Sequence, residues 1–245
     1  MCRLPYRLTD TEGNDIAPER HYLSLRDLCQ IDSLERLIEA GASSFKIEGR
    51  LKDARYVANV TAAYSKRLNR IVDSSDGRYV RSSCGDCRYA FTPDLDRTFN
   101  RGYTSFFLCG KPSAMASVLT PKWAGMPVGR ITSYDRSRGT LRASLTEKLA
   151  NGDGLGYFDA AGRFCGFRLN RAEGNILYPA RELNVAIAGT TLYRNNDKSF
   201  FDVLDKENAC VRTIGVDVTM DVLDNRTVTI LSLIHISEPT RRRGI

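Results

Sequence analysis

Residues 44–57 read SFKIEGRLKDARYV. A short apolar strand pattern, Ser44 to Ile47, runs into Lys46, Glu48, Arg50 and Lys52. A helix then begins behind Asp53, a residue type that caps helices through its carboxylate. That much charge at a strand-to-helix junction has two readings. One is a solvated loop. The other is a ligand site at the mouth of a β/α barrel, where functional side chains gather at the carboxyl ends of strands. Residues two apart in a strand share a face, so Lys46, Glu48 and Arg50 fall on one side if the strand runs that far. Lys and Arg on one face can hold a carboxylate or a phosphate. Glu48 can orient those cations or act as acid or base. A structural ion cluster explains the same residues equally well.

The flanks support a strand–helix alternation over residues 22–72. Tyr22–Leu25 is a strand candidate, followed by Leu28, Ile31, Leu34, Leu37 and Ile38 at helical spacing, with Gly41 at a C-terminal cap position. After Ile47 and the Asp53 cap, Val57, Val60, Tyr64, Leu68 and Ile71 form one apolar helix face. Two strand–helix units in about 50 residues imply parallel strands with helical crossovers. Such units do not close a sheet alone.

Residues 73–112 are polar and turn-rich and read as an irregular connector. The texture then changes. Residues 127–134, 140–145, 155–158, 164–169 and 190–193 are short strand candidates, separated by turns such as DRSRG, ANGDG and RAEGN. This spacing predicts a small antiparallel barrel or sandwich.

The last fifteen residues, LSLIHISEPTRRRGI from 231 to 245, break the strand pattern. Their first eleven resemble the translation of a sequencing-library adapter, and all fifteen are excluded from fold reasoning. Without them the net charge drops from +7 to +5, His235 disappears, and His21 is the only histidine left. The chain is then expected to be a fragment of a longer protein.

Apolar residues make up 42% of the chain, enough for a real core. No run approaches the roughly 20 apolar residues of a membrane helix, and no signal peptide follows Met1, so the expected location is cytoplasmic and no membrane partner is expected. Seven cysteines at irregular spacing fit reduced thiols better than a disulfide framework. Cys84 and Cys87 form one C-x-x-C without a second pair, which favours two free thiols over a zinc site. No H-E-x-x-H or G-x-S-x-G is present, and no nucleophile motif flags a partner for His21. The glycine run NGDGLG, 151–156, lacks the lysine of a phosphate loop and reads as a hairpin turn.

CRLPY (2–6), YLSLRDLC (22–29), GASSFKIEGRLKDARYV (41–57) and FNRGYTSFFLCGK (99–111) resemble, in order, blocks of the peptidase U32 family, the collagenase-like proteases. PVGRI through TTLYRNND resembles that family's C-terminal β domain. The resemblance implies the last βα units of a TIM-like barrel at 1–72, a connector at 73–112, and a small antiparallel β-barrel at 113–215. A further segment starts at 216–230, and 231–245 is non-native. It also implies a [4Fe–4S] cluster in the full-length parent, with Cys29 and Cys2 as two of its ligands and the other two upstream. Four thiolates hold such a cubane; two do not. Family members hydroxylate a pyrimidine in tRNA or rRNA or act on ubiquinone precursors, and the RNA enzymes are associated with prephenate, a dicarboxylate. The leading expectation is therefore iron–sulfur-dependent hydroxylation of an RNA pyrimidine, with Lys46, Glu48 and Arg50 as the substrate-anion or catalytic wall. A collagenase-like peptidase and a non-catalytic RNA-binding fragment are the alternatives.

Overall fold

The computed structural model describes residues 3–112, 114–183, 188–223 and 227–234. Cys2 and His235 lie outside the described residues. The chain opens with an antiparallel pair, β1 (Tyr6–Thr9) and β2 (Asp15–Arg20). A two-residue strand β3 (Asp27–Leu28) leads through a 3-10 turn into α1 (Leu34–Glu39). The long helix α2 (Ala54–Asp73) follows. Then come β4 (Asp86–Tyr89), a 3-10 turn at Leu95–Arg97, and β5 (Tyr103–Thr104).

The helix signals are realised. The Asp53 side chain accepts a hydrogen bond from the Tyr56 amide at 2.8 Å, and Gly41 closes α1 at φ +100° with its amide on the Ile38 carbonyl. Only glycine adopts that φ without a Cβ penalty. On α2, Val60 and Ile71 are buried, but Val57 is 41% exposed, so the apolar face starts one turn later than its spacing predicts. Asp53→Ala removes the cap acceptor and is expected to lower stability by about 1 kcal/mol in urea unfolding. No change would mean that another group caps α2.

The two early strand candidates are corrected. Residues 22–25 form a turn closed by the Ser24 amide on the His21 carbonyl, and Leu25 makes only an isolated bridge to Ala116. The strand lies two residues later, where β3 pairs in parallel with β5, Asp27 against Tyr103. Residues 44–47 form no strand, because among the described residues no backbone ladder lies beside them, and strand geometry needs one. The described residues show mixed α/β structure with one parallel pair. The stretch 73–112 is not wholly irregular, since it holds β4 and β5.

The β region matches its prediction and adds to it. Strands β6 (Met126–Asp135), β7 (Thr140–Leu145), β8 (Gly154–Phe158), β9 (Phe164–Glu173), β10 (Ile176–Pro179) and β11 (Thr191–Asn196) close a six-stranded barrel. Their order around it is β10-β7-β6-β11-β8-β9, with every pairing antiparallel. Val128, Ile131, Leu141, Leu155, Tyr157, Leu169, Leu177 and Leu192 fill its interior, each at most 1% exposed. The turn at 151–156 is not a hairpin: β7 and β8 are not neighbours, so it crosses between non-adjacent strands.

Helix α3 (Lys198–Leu204) and strand β12 (Cys210–Thr213) follow the barrel and turn back to the helical part. Phe201, Leu204 and Ala209 pack with Ala62 of α2 and with Phe91, and β12 pairs with β4. The last elements, β13 (Val216–Leu223) and β14 (Thr227–Ile234), form a hairpin. Its register runs unbroken through position 231, where the sequence texture changes.

Candidate functional site

A cleft of about 840 Å³ lies between β3, α2, the loop at 45–52 and the extended stretch leading into β5. Each wall follows a simple period. Tyr56, Val60 and Tyr64 are one helical face of α2, and Phe99, Arg101 and Tyr103 alternate along extended chain. That stretch is held by Asn59, a fully buried amide on α2. Its Nδ2 donates to the Asp94 carbonyl at 2.7 Å and to Thr98 Oγ1 at 3.0 Å, while its Oδ1 accepts from the Asp94 amide at 2.9 Å.

Lys46, Glu48 and Arg50 all line the cleft, and all three are exposed while Phe45, Ile47 and Gly49 between them are half-buried. The predicted alternation is therefore present without the strand. Glu48 acts within its own loop. Its Oε1 accepts from the Arg50 amide at 2.7 Å, and that bond holds its carboxyl below the usual range. Neither Lys46 nor Arg50 makes an ion pair among the described residues.

The deeper cation is Lys52. Its side chain is 16% exposed, and its Nζ stands over the rings of Phe99 at 4.1 Å and Tyr56 at 4.6 Å. The nearest carboxylate oxygen, on Asp27, is 3.7 Å away, too far for a hydrogen bond. Asp27 is engaged elsewhere, accepting from the Arg101 amide at 2.8 Å and its guanidinium at 3.2 Å. Burial pushes the Lys52 ammonium below its ordinary range, against the opposing pull of Asp27. Five buried side-chain polar atoms among the described residues find no hydrogen-bond partner on the protein. Three of them, Lys52 Nζ, Arg101 Nε and Gln30 Oε1, belong to cleft-lining residues. Buried polar groups are normally paired, so this clustering marks the cleft as a place for a polar ligand. Lys52 was visible in the sequence as one more charge after Arg50; its burial was not.

Cys29 lines the same cleft, and its Sγ accepts a long hydrogen bond from Tyr64 Oη at 3.7 Å. Burial raises Tyr64 to about 12, so its hydroxyl stays protonated as that donor. Among the described residues no group of three His, Cys, Asp or Glu side chains could hold a metal ion. The single cleft thiol does not make a cubane ligand set. Cys84, Cys87, Cys109, Cys165 and Cys210 are free thiols that do not line the cleft. His21 Nδ1 meets the Arg3 carbonyl at 3.0 Å, a backbone contact and not a nucleophile.

Residues 1–117, which carry every wall of this cleft, match the profile of Peptidase family U32. This part of the chain belongs to that family. The chain is also 36% identical over 228 residues to the 23S rRNA 5-hydroxycytidine C2501 synthase of Escherichia coli K12, covering 89% of this chain and 34% of that protein. It is 27% identical over 166 residues to tRNA hydroxylation protein P1 of Bacillus subtilis, covering 64% of this chain and 38% of that protein. A collagenase of Porphyromonas gingivalis is 30% identical over 112 residues, 45% of this chain and 29% of that protein. The chain thus spans about a third of the length of these curated relatives. No solved structure matches it. Among the described residues no helix is long and apolar enough to cross a membrane.

Proposed function

We propose that this chain is part of an enzyme that hydroxylates a pyrimidine base in RNA, with the Lys52 cleft as the anion-holding side of its active site. The carrying observation is where the likeness runs. An alignment over 89% of the chain is too long to leave out Lys52, Phe99, Arg101 or the barrel, and that relative is an rRNA hydroxycytidine synthase. The collagenase alignment of 112 residues is too short to reach from Asp27 to the last barrel strand at Thr191. The parallel β3–β5 pair with α1 and α2 between its strands supports reading this half as the end of a TIM-like barrel.

In this reading Lys52, Arg101 and the rim cations Lys46 and Arg50 bind a carboxylate or phosphate of the substrate. Phe99 and Tyr56 keep water from the ammonium. These cations suit anions in general and do not single out prephenate. A [4Fe–4S] cluster in the full-length parent would take Cys29, and Cys2 from outside the described residues, and would supply redox chemistry. The described residues do not complete its ligand set, and no step here is routed through it. A cytoplasmic enzyme is consistent with an RNA substrate.

Deleting the gene in its host is expected to remove a 5-hydroxypyrimidine nucleoside from digested rRNA or tRNA, and the full-length gene is expected to restore it. Mass spectrometry of nucleosides reads both. An unchanged hydroxypyrimidine content rejects the proposal, and clearing of gelatin by purified, chelator-treated protein replaces it with the peptidase reading.

A further inference from the structure

Two recesses lie on the outside of the barrel. One, of about 790 Å³, has a floor of Gly152, Gly154 and Gly166, with Arg168, Arg181 and Lys198 around it. The other, of about 680 Å³, lies between the end of β2, the segment at 118–123 and the β8–β9 turn, and holds Arg20, Lys122, Trp123, Arg163 and Phe164. Gly166 and Asn195 line both, so the two adjoin.

The second recess also adjoins the cleft. Trp123 packs against Phe99 with ring centroids 6.5 Å apart, and Phe99 carries the Lys52 ammonium on its ring. On the other side His21, which lines the recess, contacts the carbonyl of Arg3, which lines the cleft. One track therefore leads over the barrel, past Trp123 and Phe99, to Lys52.

Its charge is one-sided. Glu19 is the one carboxylate among the residues lining either recess. Arg163 and Lys198 are paired with Asp159 and Asp202, and Arg181 donates to the Gly166 carbonyl. Arg20, Lys122 and Arg168 are exposed, and among the described residues no ion pair occupies them. Free cations spaced along a groove with half-buried rings between them match a nucleic-acid strand: phosphates meet the cations and unstacked bases meet the rings. A duplex keeps its bases stacked and does not reach rings set in a recess.

We propose that single-stranded RNA lies along this track, with phosphates on Arg20, Lys122 and Arg168, a base against Trp123, and the target nucleotide turned past Phe99 into the Lys52 cleft. The choice of RNA rests on the hydroxylase reading above. A base that is to be modified must leave its stack, and the track delivers one strand to the cleft.

The test is fluorescence anisotropy with the full-length protein and a labelled pyrimidine oligoribonucleotide of about 15 nucleotides over a salt series. The triple variant Arg20→Ala, Lys122→Ala, Arg168→Ala is expected to bind at least tenfold more weakly, and its log–log salt slope to fall by about 2. A control triple, Arg70→Ala, Arg78→Ala, Arg138→Ala, removes the same charge from exposed positions off the track and is expected to stay within about threefold of wild type. Trp123→Leu is expected to weaken binding roughly tenfold with the slope unchanged. Thermal midpoints separate misfolding from lost contact, and the exposed triple decides if Trp123→Leu unfolds. Wild-type binding by the track triple, an equal loss in the control triple, or better competition by duplex than by single strand overturns the proposal. Weak track-variant binding beside unaltered RNA in the deletion strain would leave the track standing and remove the hydroxylase reading; the converse pair of results would do the opposite.

Discussion

On the hydroxylase proposal, Lys52→Met in the full-length protein is expected to abolish RNA hydroxylation without lowering the thermal midpoint. The two halves of that expectation come from the same geometry. The ammonium is nearly buried between two rings, and among the described residues no acceptor lies within hydrogen-bond distance of it. Its three N–H donors are therefore available to a ligand. Removing one charge from a desolvated ligand contact typically costs about 2–5 kcal/mol, so product per enzyme should fall by about 30-fold or more. Stability should not follow, because Asp27 is not left as an orphan. It keeps two hydrogen bonds from Arg101, at 2.8 and 3.2 Å. Removing a partner destabilises strongly only when it leaves an uncompensated buried charge. The pH dependence gives a further check. The folded pKa of Lys52 is depressed, so wild-type stability rises as pH climbs from that value towards the unfolded value of about 10.4. The variant lacks that rise, so any gain in its midpoint is largest at the lower pH. A midpoint drop that tracks the activity loss would make Lys52 a structural residue and sink its assignment to the ligand.

How far the cleft could be read in advance depends on which forces were local. The Asp53 cap, the Gly41 terminus and five of the six barrel strands are properties of neighbouring residues, and they appear in the sequence as spacing and turn chemistry. The alternation of Lys46, Glu48 and Arg50 was also local, and their exposure keeps it. That alternation could not form a strand, because a ladder needs a partner that no local pattern supplies. Lys52 and Asn59 were missed for a related reason. Each is an ordinary polar residue until a distant segment, 94–101, folds over it. Strand β10 is only four residues long and apolar at Ile176 and Leu177, with Pro179 masking its end. Helix α3 was hidden by its length, seven residues, and by capping acids that belong to a long-range network.

That network sets the second large effect: Arg194→Met is expected to destabilise the protein by about 3–5 kcal/mol, a drop of roughly 10 °C in thermal midpoint. Arg194 is 5% exposed at the end of β11 and faces three carboxylates. It pairs with Glu147, stands 3.1 Å from Asp197 and 3.8 Å from Asp153, and donates to the Lys148 carbonyl at 3.3 Å. Asp197 would keep Arg97 at 2.7 Å. Among the described residues Asp153, fully buried, would keep only the amides of Ala150 and Lys198, at 2.9 and 2.8 Å, and no cation within 4 Å. Burial already pushes the Asp153 carboxyl up, against the opposing pull of those two amides and of Arg194. A raised folded pKa means that the native state holds the proton longer, so this group's contribution to stability falls as pH rises through it. Without Arg194 the carboxyl moves higher still. The deficit of the variant should therefore be smallest near about pH 4 and grow towards about pH 8. Denaturant melts at both pH values measure it, and Arg194→Met with Asp153→Asn should recover part of the loss at the higher pH. A deficit under about 1 kcal/mol, or one that ignores pH, would show that the network is not what locks α3 to the barrel. The consequence reaches the cleft as well. Asp197 and Glu147 also hold Arg97, two residues before the Phe99 ring that covers Lys52. Loosening Arg194 should thus weaken the wall of the cleft as well as the joint between α3 and the barrel.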